Sequence, residues 1–137
     1  MTDTTEALAA VLQRIPYVKH LGVHAELAGD EMTAVLPFAE HLIGNPRLPA
    51  LHGGVIGGFM ELTAVIQLSI AQKGGGSPRP IDVTVEYLRS GRPVTTYARA
   101  EVKKVGRRIS NVQVEAWQDS RAAPIAALRG HFMISAD

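Results

Sequence analysis

The chain has 137 residues, 46% hydrophobic and 20% charged, proportions of one folded domain that can bury about two thirds of its unfolded surface without disulfides or a structural metal. It contains no cysteine, which excludes thiol catalysis, zinc ribbons and iron–sulfur ligation. With a formal charge of +1, global electrostatics give nucleic-acid binding no support.

The opening MTDTTEALAAVLQ carries acids and no basic leader, unlike a secretory signal. Residues 5–14 predict a short helix, capped by Asp3 or a neighbouring threonine, favoured in its first turn by Glu6 and closed by Pro16. Residues 21–37 read as two strands around the turn Gly29-Asp30-Glu31, with Val23, Ala25 and Leu27 alternating with polar or smaller neighbours, and Pro37 ends the pair. The stretch from His41 to Ala50, broken by proline or glycine at three positions, is expected to be an irregular loop.

Val55, Phe59, Leu62, Ile66 and Ile70 then recur at steps of three and four, which predicts a long helix from the end of that loop to about Lys73. Residues 54–71 approach a membrane-spanning length, but Glu61 would lie near the bilayer centre at a cost of several kcal/mol, so no membrane is expected and the chain is placed in the cytoplasm. Gly74 to Pro78 form a loop. Four runs with period-two alternation follow, at 81–89, 94–105, 109–118 and 123–134. The turns Gly91-Arg92-Pro93, Gly106-Arg107 and Asp119-Ser120 are short enough to make consecutive strands antiparallel neighbours. Residues 1–137 thus form a single α+β domain, one antiparallel sheet wrapped around a long central helix.

The stretch LHGGVIGGFMEL, residues 51–62, sets four glycines and one carboxylate in an oily helix. Burying a charge needs a partner or a use. Helical side chains lean toward the N-terminus, so the Glu61 carboxylate is expected over Gly57 and Gly58, where a substrate could fill the gap. At the helix start, His52-Gly53-Gly54 offers free N–H groups and the positive end of the dipole to a carbonyl or oxyanion. A carboxylate base with such a helix end is the minimum for hydrolysing an activated acyl group. Eight residues of helix hold the two about 12 Å apart, so two copies packed antiparallel across a twofold axis would be needed to join them. The residue types equally allow a plainer reading, in which the glycines serve close packing and Glu61 is structural. His20 and His24 stand four apart, but Gly22 and the strand-like pattern oppose a metal pair, and neither a metal nor a cofactor is expected. His131 reads as a packed or rim residue of the last strand.

Asn45-Pro46, His52-Gly53-Gly54 and Glu61 together resemble the hallmark of the hotdog-fold acyl-coenzyme A thioesterases of the phenylacetate-degradation type, and the element order matches that fold over nearly the whole chain. The resemblance implies hydrolysis of acyl-coenzyme A by a homodimer or a dimer of dimers. In it Glu61 is base or nucleophile, the Gly53 N–H polarises the thioester carbonyl with His52 and Gly54 beside it, and Asn45 positions water or the leaving group. Coenzyme A carries phosphates that need basic side chains, and the resemblance sets Arg89-Ser90 and Gly106-Arg107, with Arg108, near the nucleotide. Leu48, Phe59, Met60 and Leu62 are candidates for the acyl pocket. The chain departs from the common pattern in having Arg47-Leu48-Pro49 in the loop, one extra residue between Asn45 and His52, and glutamate rather than aspartate at 61. A non-catalytic acyl-coenzyme A binding module is the alternative, and a hotdog hydratase a more distant one.

Overall fold

The computed structural model describes residues 4–29, 31–72 and 78–134. The first helix, α1 (Thr4–Arg14), buries Ala7, Leu8 and Val11 on one face, with Glu6 in its first turn and Arg14 in its last, as the macrodipole favours. Asp3, one of its expected caps, lies outside the described residues. Pro16 does not simply close this helix: it occupies the first turn of a second one, α2 (Pro16–Leu21). Proline suits that position because its fixed φ is helical and the N–H it lacks would have no intrahelical acceptor. Gly22, at φ 80°, ends α2 by donating its N–H to the Val18 and Lys19 carbonyls, a left-handed cap that favours glycine. The first strand therefore begins later than expected.

Strands β1 (His24–Ala28) and β2 (Glu31–Leu36) form an antiparallel hairpin. Of its expected turn, Gly29 has φ 66° and Asp30 lies outside the described residues. The segment expected to be an irregular loop contains a short hairpin instead, β3 (Ile43–Asn45) with β4 (Ala50–Leu51). Pro46 and Pro49 do not prevent it, because both sit in the connection and neither has to donate to the ladder.

The long helix α3 (Gly53–Ala71) is apolar on most sides and buries Ile56, Phe59, Met60, Leu62, Ala64 and Ile66 among others. Its buried Thr63 hydroxyl is satisfied by the Phe59 carbonyl, 2.8 Å away. The helix is long and apolar enough to cross a membrane by composition, but 56% of its apolar window is buried within the fold, as in a core helix. The expected end near Lys73 and the Gly74–Ser77 part of the loop lie outside the described residues.

Strands β5 (Arg79–Tyr87), β6 (Thr96–Val105), β7 (Ile109–Trp117) and β8 (Ala126–Met133) complete a six-stranded antiparallel sheet in the order β1-β2-β6-β7-β8-β5. The expectation that consecutive strands are neighbours holds for β6-β7-β8 and fails for β5, which pairs with β8. Residues 88–95 cross the ends of β8 and β7: the Leu88 and Arg89 N–H groups donate to the Ile125 carbonyl, and the Gly91 carbonyl accepts from Leu51. Three strand spacings are about 14 Å, well within the reach of such a segment. The sheet wraps α3 in the hotdog manner, with Met32, Leu36, Val112, Val114 and Phe132 packed into one cluster with Phe59, Met60 and Ile66.

Among the described residues β5 is poorly covered. It is one of the two edges of the sheet, the other being β1, and it is exposed along its length except at half-buried Val85. Its helix-facing row of Val83, Val85 and Tyr87 is opposite Gly130, Leu128 and Ala126 of β8. Gly54, Gly57, Gly58, Glu61 and Val65 of α3 are likewise not fully buried.

Candidate functional site

The site is organised by the start of α3. His52 is its N-cap, with φ −63° and ψ 131°, and its Nδ1 accepts the Gly54 N–H at 2.9 Å. The His52 N–H donates to the Leu42 carbonyl at 2.9 Å, tying the cap to the segment before β3. The Gly54 N–H is therefore engaged, and the ring nitrogen that caps it is not free for other work. Gly53 opens the helix, and its N–H has no acceptor among the described residues. An unengaged N–H at a helix N-terminus is a donor carrying the helix's positive pole.

Gly53 lines a surface pocket of about 390 Å³ together with Leu51, Ile56, Tyr87, Arg89 and Ser90, among others. The fold thus brings three of the expected residues, Gly53, Arg89 and Ser90, to one place from separate parts of the chain. The Arg89 guanidinium donates to the Pro124 carbonyl, which holds its stem along the pocket rim. Of the residues considered for an acyl pocket, Phe59 and Met60 are fully buried, Leu62 nearly so, and Leu48 is 65% exposed on the β3–β4 connection. Leu51 and Ile56 supply apolar wall here in their place.

Asn45 stands on the β3–β4 hairpin, where its Oδ1 accepts from the Arg47 N–H at 3.0 Å and the Leu48 N–H at 3.4 Å. That leaves its amide nitrogen as the polar group it can present outward. Gly44 keeps this hairpin against the cap: a Cβ there would come within 2.7 Å of the His52 Cα.

Glu61 is not the deeply buried group expected from the sequence. It is half-buried on the uncovered stripe of α3, and it has no hydrogen bond or ion pair among the described residues. Nor is the space over Gly57 and Gly58 empty. A Cβ on Gly57 would come within 3.1 Å of the Tyr87 hydroxyl, and one on Gly58 within 3.1 Å of the Tyr17 ring. The glycines admit these two rings, which arrive from β5 and α2.

Gly106, Arg107 and Arg108 form the β6–β7 turn, closed by the Gly106 N–H to the Ile109 carbonyl at 2.8 Å. Register places that turn beside the Arg79 and Met133 ends of β5 and β8, whereas Tyr87 and Gly53 are at the other end. Eight strand residues span about 26 Å, so within one chain these basic residues stand far from the Gly53 pocket. Lys103 is paired with Glu101 at 2.8 Å. The hydrogen bond and charge of Lys103 hold the Glu101 carboxyl below its usual range. His131 pairs with Asp82 at 2.9 Å on the rim of the sheet, and His20 stacks on Tyr17. Among the described residues no group of three histidines or carboxylates could hold a metal ion.

Tyr87 is the site residue that sequence reasoning passed over, taking it with Ile81, Val83 and Val85 only as part of the apolar row of an alternating strand. Its hydroxyl donates to the Gly53 carbonyl at 2.7 Å, and its ring lies 3.5 Å from where a Cβ on Gly53 would be. The pairing of an end-of-strand tyrosine with a glycine-rich helix start was the available signal, but it needs the fold to be read.

The thioesterase superfamily family model matches residues 48–125. Among solved structures, a Chromobacterium violaceum protein is 39% identical, with 96% of this chain and 91% of that one covered at a TM-score of 0.76. A Shewanella oneidensis protein related to the thioesterase superfamily is 25% identical, covering 96% and 97% of the two chains at 0.77. The E. coli PaaI protein of the phenylacetic acid degradation operon is 16% identical and shares the fold at 0.81, over 96% of this chain and 93% of that one. Comparison with proteins of curated function finds no match. The matched segment runs from the β3–β4 connection through α3 and the pocket to the start of β8, and with the six-stranded sheet around that helix it establishes the chain as a hotdog-fold member of the thioesterase superfamily.

Proposed function

We propose that the protein hydrolyses acyl-coenzyme A thioesters in the cytoplasm, at two equivalent sites shared between two copies of the chain. The observation that carries this reading is the unengaged Gly53 N–H beside a pocket that also holds Arg89 and Ser90. Glu61, the acid of the same helix, lies about 12 Å farther along it.

The exposed edge and the uncovered helix stripe support a second copy as the missing wall. If β5 pairs antiparallel with its twin, the two α3 helices run past each other in opposite directions and Glu61 of the second copy approaches Gly53 of the first. The same rotation carries the Gly106–Arg108 turn of the second copy toward the Tyr87 end of the first, where its arginines can meet phosphate.

The chemistry then needs only groups on this chain. The thioester carbonyl oxygen accepts from the Gly53 N–H, and Glu61 takes a proton from water as the water oxygen attacks the carbonyl carbon. The C–S bond breaks, and the departing thiolate takes the proton from the Glu61 carboxylic acid. The acid product and the free thiol leave. In the nucleophilic variant Glu61 itself attacks and water hydrolyses the resulting anhydride. Asn45 presents its amide to the water or leaving group, and His52 holds the helix cap.

Thiol release from a panel of acyl-coenzyme A substrates tests the reading. The parent is expected to turn over, and Glu61→Gln to lose at least about a hundredfold in kcat. A Glu61→Gln variant as fast as the parent would refute the assignment. Tight binding without turnover by either protein would favour the non-catalytic binding module.

A further inference from the structure

Tyr87 is 55% exposed, yet its hydroxyl is committed to a main-chain acceptor. Its Oη donates to the Gly53 carbonyl at 2.7 Å, and its ring covers the start of α3 from Gly53 to Gly57. The Gly53 carbonyl does not need this bond to complete the helix, because it points into α3 and has an intrahelical acceptor role of its own. The phenol adds a second donor to it, from a strand on the other side of the pocket.

We propose that Tyr87 is a positioning residue, which fixes the first turn of α3 and with it the direction of the Gly53 N–H at the pocket. The proposal rests on the hydrolase reading above. Two restraints act on the same two residues. His52 holds the Gly54 N–H from before the helix, at 2.9 Å, and Tyr87 holds the Gly53 carbonyl from β5. The carbonyl of Gly53 and the N–H of Gly54 belong to one peptide plane, so this plane is pinned at both of its polar atoms. The adjoining plane carries the Gly53 N–H and is hinged to it at a single glycine Cα. Glycine is the residue with the widest freedom at such a hinge, so an unpinned Gly53 would let the donor swing. Misplacing a catalytic group by about 1 Å can cost about a hundredfold in rate.

Gly57 belongs to the same device. The space where its Cβ would be is taken by the Tyr87 hydroxyl, at 3.1 Å, so a side chain there competes with the oxygen that makes the bond. The contact involves the hydroxyl and not the ring, and it therefore disappears in phenylalanine.

The test uses the intact protein and four variants: Tyr87→Phe, Gly57→Ala, the double variant, and Glu61→Gln as the control for the hydrolase reading. Tyr87→Phe is expected to lower kcat about tenfold, with KM within about twofold and the unfolding temperature within a few degrees, because one exposed hydrogen bond contributes little to folding. Gly57→Ala is expected to lower kcat by a similar factor. The double variant should be no slower than Tyr87→Phe, since the methyl then has no hydroxyl to displace. In nuclear magnetic resonance spectra, the Gly54 amide resonance should move in Tyr87→Phe, because the carbonyl of its own peptide loses a donor. A Tyr87→Phe variant with parental kcat, in a protein that Glu61→Gln inactivates, would overturn the proposal and leave the hydrolase reading intact. So would an additive loss in the double variant. If the parent hydrolyses no acyl-coenzyme A, the hydrolase reading falls and the positioning role with it; an unmoved Gly54 resonance in Tyr87→Phe overturns the positioning role alone.

Discussion

Replacing Gly53 by proline removes the N–H donor and sets the ring carbon Cδ on the same nitrogen. Proline is favoured at the first position of a helix, where its fixed φ fits and its missing N–H has no intrahelical acceptor. The residue before it must be extended, and His52 already is, at φ −63° and ψ 131°. The Cβ of the new ring has room, since a Cβ at 53 would lie 3.5 Å from the Tyr87 ring, an ordinary contact. The cap between His52 and Gly54 is untouched. Removing a glycine's freedom from the unfolded chain stabilises by about 0.4–1 kcal/mol where the native conformation is compatible, so the unfolding temperature should hold or rise. Losing one donor to a developing oxyanion costs about 10²–10³ in kcat, or about 2.7–4 kcal/mol. Gly53→Pro should therefore be a folded protein that turns substrate over at least a hundredfold more slowly, measured by thiol release beside a thermal melt. A well-folded variant within about threefold of parental kcat would show that the Gly53 N–H does not stabilise the oxyanion.

Val83 lies at the middle of the uncovered β5 row, and Val83→Lys should convert a dimer to a monomer by light scattering and abolish turnover; an active monomer would contradict shared sites. Glu101 should titrate below the ordinary carboxylate range in the parent and return toward it in Lys103→Met, as followed by carboxyl chemical shifts. Because the folded value is the depressed one, the pair's contribution to stability is present above the ordinary carboxylate pKa and is lost as pH falls through the lower value. An ordinary value for Glu101 in the parent would contradict the pairing.

The central helix was legible because its evidence is local: Val55, Phe59, Leu62, Ile66 and Ile70 are spaced to share a face, and all but half-buried Val55 are buried. The strands of the six-stranded sheet were legible through their alternation, whereas the short β3–β4 hairpin was not. The partner of β5 was not, since turn length speaks only for short connections and residues 88–95 form a long crossing. Pro16 can end one helix or begin the next, and here the Gly22 cap settles it. At the site, local pattern pointed to the chemistry-bearing residues and missed what fills the space around them. Tyr87 and Tyr17 come from other elements to cover Gly57 and Gly58, and Gly106 to Arg108 prove remote from Gly53 only once strand register is known.

In the proposed dimer each site takes its N–H from one copy and its carboxylate from the other. Subunits of Glu61→Gln and Gly53→Pro, each inactive alone, can be unfolded together in equal amounts and refolded. Half of the resulting dimers are mixed, and in each of these one site has both functional groups while the other has neither, so about a quarter of parental activity should return. If the mixture stays as inactive as its components while the mixed dimers form, the two groups belong to the same copy and the shared site is wrong.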